Sequence, residues 1–378
     1  MKYNWQQADW PRFTYRLKEV EDTLFEFTER VGRVSGLLEG LPEKIKTETM
    51  IDMMVSEAIK TSEIEGEYLS RKDVMSSIRN QLNLPQTQEQ VRDQRASGAG
   101  QLITVIRRDY TRKLTKKILT DWHKMLMQGS KGISIGKWRT YEEPMQVISG
   151  PIGKEKVHFE APPSAVVQDE MRRFIAWFNE TSPGSPHWIT KPPVKAGIAH
   201  LYFESIHPFE DGNGRIGRAI SEKALLQGIG RPALFSLSKT IEAEKKAYYD
   251  ALKSAQRSND ITAWINYFAH MCLDAQIQTE EQIDFTLKKT RFFDRFKEQL
   301  NERQLRIVQR MLKEGPEGFE GGMSAKKYIN ITKTSKATAT RDLQDLVEKD
   351  IFKPFGGGRS TAYELNLDLK HLEQEIRE

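Results

Sequence analysis

The sequence predicts a mainly α fold. Apolar residues recur at three- and four-residue spacing over most of the chain, and one stretch broken by glycine and proline reads as a β-hairpin. A third observation is a separate C-terminal pattern of short helices followed by two short strands. With 378 residues, 38% hydrophobic and 29% charged, the chain has length for about two to three domains and a sizeable core.

The elements follow in order. Met50, Ile51, Met54, Val55 and Ala58 form the stripe of a helix with one buried face. That helix runs into Thr61-Ser62-Glu63-Ile64-Glu65-Gly66, where Gly66 is its stop. A second helical stretch is expected over residues 88–127. Across 129–163, glycines and prolines interrupt the runs Met145-Gln146-Val147-Ile148 and Lys156-Val157-His158-Phe159, giving the hairpin. Pro162-Pro163-Ser164 opens the next helix, with Met171, Phe174, Ile175, Trp177 and Phe178 as its apolar face. A strongly apolar helix covers 194–206, another follows Gly212, and two more lie near 240–257 and 260–283. A boundary is expected near 285–300, giving domains at 1–112, 113–284 and 285–378.

The last domain reads as a winged helix-turn-helix. Helices at 303–312 and 335–349 flank one that Ser324 opens, with 332–334 as the turn. Strands at 351–355 and 361–365 hold a tip of Gly356-Gly357-Gly358-Arg359-Ser360. Residues 321–341 carry five basic side chains and no acidic one. Lys333, Lys336, Arg341 and the wing residue Arg359 are therefore candidate DNA phosphate contacts. Protein contact or homodimer assembly fits the same pattern.

Composition excludes several classes. The single Cys272 leaves no internal disulfide framework and no Cys-rich zinc site. Mean hydropathy is −0.62, and no apolar run approaches the roughly 20 residues of a membrane span. Residues 1–30 lack an apolar leader segment, so a cytoplasmic protein is expected. A net charge of +5 is too mild to mark a nucleic-acid binder by itself.

The chemistry concentrates in His207-Pro208-Phe209-Glu210-Asp211-Gly212-Asn213-Gly214-Arg215-Ile216-Gly217-Arg218. Glycines around Asn213 let backbone N–H groups approach an anion just where a helix begins. Asp211 suits Mg²⁺, which takes carboxylate, phosphate and water oxygens. Arg215 and Arg218 lie three apart on one helix face and can hold outer phosphates. His207 can be neutral at pH 7, as a general base must be. The run Gly212-Asn213-Gly214-Arg215-Ile216-Gly217 also matches the dinucleotide pattern G-x-G-x-x-G, but that reading needs a preceding strand, and 196–206 is spaced as a helix. A polar loop capping a helix, with the arginines in surface ion pairs, is the bland alternative.

This stretch resembles the signature of the Fic family, His-Pro-Phe-x-Asp/Glu-Gly-Asn-Gly-Arg-x-x-Arg, at every specified position. The resemblance implies a Fic helical core with a β-hairpin flap and transfer of AMP from ATP to a Ser, Thr or Tyr hydroxyl of a target protein. It assigns His207 as base, Asp211 to Mg²⁺, and Gly212, Asn213, Gly214, Arg215, Gly217 and Arg218 to the nucleotide. The hairpin at 145–163 would be the flap that docks the target, with Val157, His158 and Phe159 nearest the ligand. Tyr248, Tyr249 and Gln256 fall where the family places adenine contacts, and helix-core packing serves the tyrosine pair equally well.

Thr61-Ser62-Glu63-Ile64-Glu65-Gly66 is similar to the family's inhibitory motif Ser/Thr-x-x-x-Glu-Asn/Gly. Thr61 and Glu65, four apart, share a helix face, and the resemblance pairs Glu65 with Arg218 where the γ-phosphate would bind. The same glutamate could serve removal of AMP from a target. A solvated helix end is the plain alternative for the six residues. The rival functions are a DNA-binding regulator whose Fic core senses nucleotide, and a variant that transfers another phosphate-containing group.

Overall fold

The computed structural model describes residues 2–82, 84, 90–151, 154, 156–231 and 234–367. It divides into two compact units, residues 1–36 with 42–279, and residues 37–41 with 280–378. Fourteen α-helices and two small hairpins are present among the described residues.

The helices α1 (Glu21–Glu39), α2 (Glu43–Ile64), α3 (Arg71–Gln81), α4 (Gln94–Arg108) and α5 (Lys116–Leu126) come first. Side chains of Ser70, Asp93 and Thr115 accept N–H bonds at the starts of α3, α4 and α5. Ile51, Met54, Val55 and Ala58 of α2 pack with Val74, Ile78, Ala96, Ala99 and Ile103 of α3 and α4. The helix expected over 88–127 is thus two helices. Asn179 pins the connection between them: its side chain accepts from Leu114 N–H at 2.8 Å and donates to Leu114 O at 2.9 Å, and Thr115 then caps α5. Residues 88 and 89 of that expectation lie outside the described residues.

The flap strands β1 (Gln146–Ser149) and β2 (Lys156–Glu160) pair antiparallel, Val147 opposite Phe159 and Ile148 opposite Val157, with a register shift between them. Helices α6 (Ser164–Glu180), α7 (Pro192–Ile206) and α8 (Asn213–Ile229) follow. Residues 193–206 are all buried, which makes α7 the axis of the unit. Tyr202 of α7 meets Trp10, Phe13 and Phe174 edge to face at 5.2 to 5.6 Å. Trp264 Nε1 donates to Gly197 O at 2.8 Å.

Next come α9 (Leu237–Ala243), α10 (Lys245–Ala255) and α11 (Thr262–Phe296). The helix expected near 240–257 is divided at Glu244, whose φ and ψ are −124° and 40°. The one expected to end at 283 runs on to Phe296, because no glycine or proline interrupts 262–296.

In the second unit α12 (Glu302–Leu312), α13 (Ala325–Thr332) and α14 (Lys336–Glu348) precede the antiparallel strands β3 (Phe352–Phe355) and β4 (Ala362–Leu365). Asn301, Ser324 and Ser335 cap the three helices. Ile307, Val308, Tyr328, Leu343, Leu346 and Phe352 form their core with Phe292 and Phe296. Buried Asp342 gathers Arg303, Asn301 and the Tyr328 hydroxyl. No helix among the described residues is long and apolar enough to cross a membrane.

Candidate active site

The site forms where α7 ends and α8 begins. His207 closes α7 in a left-handed conformation, φ 51° and ψ 60°, a costly backbone state for a non-glycine residue. Buried Arg139 holds it there: Nε donates to His207 O at 2.8 Å, and Nη2 donates to Ile206 O and Pro162 O. One guanidinium therefore fixes both the turn at His207 and the base of the flap.

The loop after His207 is braced from within. Asn213 Oδ1 accepts from Phe209 N–H and its Nδ2 donates to Phe209 O, both at 2.9 Å. The Phe209 ring stacks on His123, centroids 3.9 Å apart. Gly136 N–H donates to His123 Nδ1 at 2.8 Å, so Nε2 carries the proton and donates to Asp211 O at 3.1 Å. Desolvation of that ring lowers its pKa and keeps it neutral. Glu210 Oε2 accepts from Ser134 N–H at 2.8 Å. The first helical bond of α8 runs from Ile216 N–H to Gly212 O, so the N–H groups of Asn213, Gly214 and Arg215 lead the helix.

The end of α2 reaches this point. Gly66 N–H bonds to Glu63 O and Glu67 N–H to Ser62 O, a helix stop that needs a left-handed residue, and Gly66 supplies φ 80°. Glu65 and Glu67 then project from either side of the glycine. Arg218 Nη2 donates to Glu65 Oε1 at 2.8 Å and to Thr61 O at 2.9 Å, while its Nε donates to Thr61 Oγ1 at 2.8 Å. Burial alone would lower the Arg218 pKa, and the charge and hydrogen bond of Glu65 outweigh it and raise it. Arg215 donates to Glu67 Oε2 at 2.6 Å. At Gly214 a Cβ would collide with Glu65 Oε1, so a glycine is needed for this approach.

A cavity of about 700 Å³ opens beside these groups. Glu65, His158, His207, Asp211, Gly214 and Arg218 line it, as do Gly212, Asn213, Phe159, Tyr248, Tyr249 and Gln256. Three expected residues do not. Val157 is 42% exposed, and from β2 the cavity takes Lys156, His158 and Phe159. Arg215 is turned to Glu67 and Met127, and Gly217 faces Glu204 and His200. Tyr248 is buried with its hydroxyl 2.6 Å from His200 Nε2, and Gln256 Nε2 donates to Glu204 O at 3.3 Å.

Asp211 is 58% exposed at the cavity, and one of its oxygens accepts from Gly212 N–H at 2.6 Å. A single exposed carboxylate fits Mg²⁺ held jointly with nucleotide phosphates and water. No cluster of three or more metal-ligating side chains exists among the described residues. Lys333, Lys336 and Arg341 are exposed in the second unit; the Arg359 side chain is outside the described ones.

The loop and both arginines lie within residues 113–225, which match the Fic/DOC family model. The chain carries a Fic domain. Residues 3–84 match a model described as a domain of unknown function, DUF4172. A probable protein adenylyltransferase from Aquifex aeolicus is 29% identical over 161 residues, 40% of this chain and 46% of that protein. Protein adenylyltransferase Fic from Drosophila melanogaster is 31% identical over 121 residues, 32% of this chain and 21% of that protein. The chain thus spans less than half the length of these curated relatives. A Fic family protein from Desulfovibrio desulfuricans G20 shares the fold, with TM-score 0.55, 19% identity, and coverage of 94% of this chain and 98% of that one.

The Fic signature was legible as a motif, but its supports were not. Arg139 gave no signal, since its partners are carbonyls of residues 162, 206 and 207 and the Ser164 hydroxyl. Glu204 and Glu67 did leave traces: a charge within an apolar helix, and a carboxylate two residues past Glu65.

Proposed function

We propose that this chain transfers AMP from ATP to a Ser, Thr or Tyr hydroxyl of a target protein, and that Glu65 holds the reaction down. The observation that carries the reading is the convergence of His207, the α8 N-terminus and Arg218 on one cavity. The adenylyltransferase names of the two sequence relatives support it.

In this reading His207 takes the proton of the target hydroxyl as its oxygen attacks the α-phosphorus. The bond from that phosphorus to the bridging oxygen breaks, and pyrophosphate leaves. The N–H groups of Asn213 and Gly214 face the phosphate oxygens, and Arg215 and Arg218 grip the outer phosphates. Asp211 would hold Mg²⁺, whose chemistry there is to neutralise phosphate charge. Tyr249 and His158 flank the base, and the flap edge pairs with an extended target segment. Glu65 occupies Arg218, the group that the γ-phosphate needs.

The test uses Glu65→Gly protein with Mg²⁺, ATP labelled at the α-phosphate and cell lysate as target. Label on protein is expected in Glu65→Gly, with little in the unaltered protein and none after adding His207→Ala. Incorporation from γ-labelled ATP instead would make this a phosphoryl transferase. No label from either would count against ATP as donor.

A further inference from the structure

Glu204 is a buried carboxylate with no part in the mechanism above. It lies three residues before His207 on α7, on the same face. Its Oε2 is 3.6 Å from His207 Nδ1, with the two side chains 6% and 13% exposed. His207 Nδ1 and Glu204 Oε1 are both buried and make no hydrogen bond. Buried polar atoms are costly without partners, and the 3.6 Å approach sets these two side chains against each other.

His200 Nδ1 and Arg218 Nη1 are also buried without hydrogen bonds, and His200 Nδ1 lies, like Glu204 Oε1, beside Gly217. Arg218 on α8 is committed to Glu65 and Thr61 of α2, and His200 on α7 holds the Tyr248 hydroxyl of α10 through Nε2. His158 of the flap and Asp211 face the same cavity. Burial pushes the Glu204 carboxyl upward, but the close approach and charge of His207, with the charges of His200 and Arg218, outweigh it and hold it below the usual range. Gly217 completes the arrangement, since a Cβ there would collide with Glu204 Oε1.

We propose that Glu204 is a positioning residue that accepts the Nδ1 proton of His207 and so leaves Nε2 unprotonated on the cavity side. When Nε2 takes the hydroxyl proton, the ring becomes an imidazolium whose charge faces the Glu204 carboxylate. The general logic is that of a base oriented by a third group. The catalytic half of this inference rests on the transferase reading; the pairing does not.

Two measurements separate them. An imidazole ¹⁵N–¹H spectrum of the unaltered protein, with His207 assigned by its loss in His207→Ala, should show the Nδ1–H tautomer. Glu204→Gln keeps the shape but removes the charge, and its amide can turn either a donor or a weaker acceptor to Nδ1, so the preference for the Nδ1–H tautomer should weaken. In the Glu65→Gly background the same change should lower kcat about tenfold or more, with KM for ATP within about twofold. An Nε2–H tautomer in the unaltered protein overturns the pairing. A kcat untouched by Glu204→Gln overturns the positioning role. A Glu65→Gly protein that transfers nothing, with the Nδ1–H tautomer intact, removes the transferase reading and the role with it, and leaves the pairing standing.

Discussion

Glu65 and Glu67 stand on either side of one left-handed glycine and engage the two arginines of α8. The second contact is an ion pair between a buried Arg215 and a glutamate 29% exposed, worth about 1 kcal/mol after screening. Adding Glu67→Ala to Glu65→Gly should therefore lower KM for ATP roughly fivefold, read from initial rates. An unchanged KM would mean that Arg215 does not hold nucleotide. The motif of residues 61–66 ends one residue short of this second carboxylate, so the sequence pointed to one pair where the fold makes two. Val157 is absent from the cavity lining for a plainer reason: which β2 side chains reach it depends on how the flap lies, which the residues alone do not give.

At the scale of elements, α2 is docked by polar contacts as well as by its apolar stripe. Glu57 accepts from Ser236 Oγ, Ser238 N–H and Ser238 Oγ at the start of α9. Lys60 bridges Glu63 and Glu242, and Lys245 donates to Ile64 O. Glu57→Ala strands those buried donors and should cost about 1–3 kcal/mol in denaturant unfolding. With α2 loosened, label incorporation should rise even with Glu65 intact; an unchanged rate would separate docking of α2 from restraint. The helices α2, α7 and α8 were legible because their signals are local: an apolar stripe, an apolar run, and glycines at their ends. The break between α4 and α5 was not, because the side chain that pins the connecting segment at Leu114, Asn179, lies 65 residues away.

Across the whole molecule, the core of the first unit encloses charge. Lys195 is buried, with Nζ donating to Ser182 Oγ at 2.6 Å, and burial brings its pKa down to about 7. Between that value and the ordinary 10.5, the folded chain binds fewer protons than the unfolded one, so this group's contribution to stability rises with pH. Relative to Lys195→Met, the unaltered protein should gain on the order of 3 kcal/mol from pH 7 to pH 10. A flat difference would mean that Lys195 stays charged when folded. The mainly α architecture was readable from spacing throughout, whereas the length of α11 was hidden by the charged run at 288–291, which resembles a linker. Finally, the carboxylates that engage α8 belong to the same chain, tethered through α2. Their effective concentration is fixed by the fold, on the order of millimolar or above, and dilution cannot reduce it. In the proposed reading, restraint of this kind would be indifferent to how much protein is present, and would yield to anything that draws the end of α2 away.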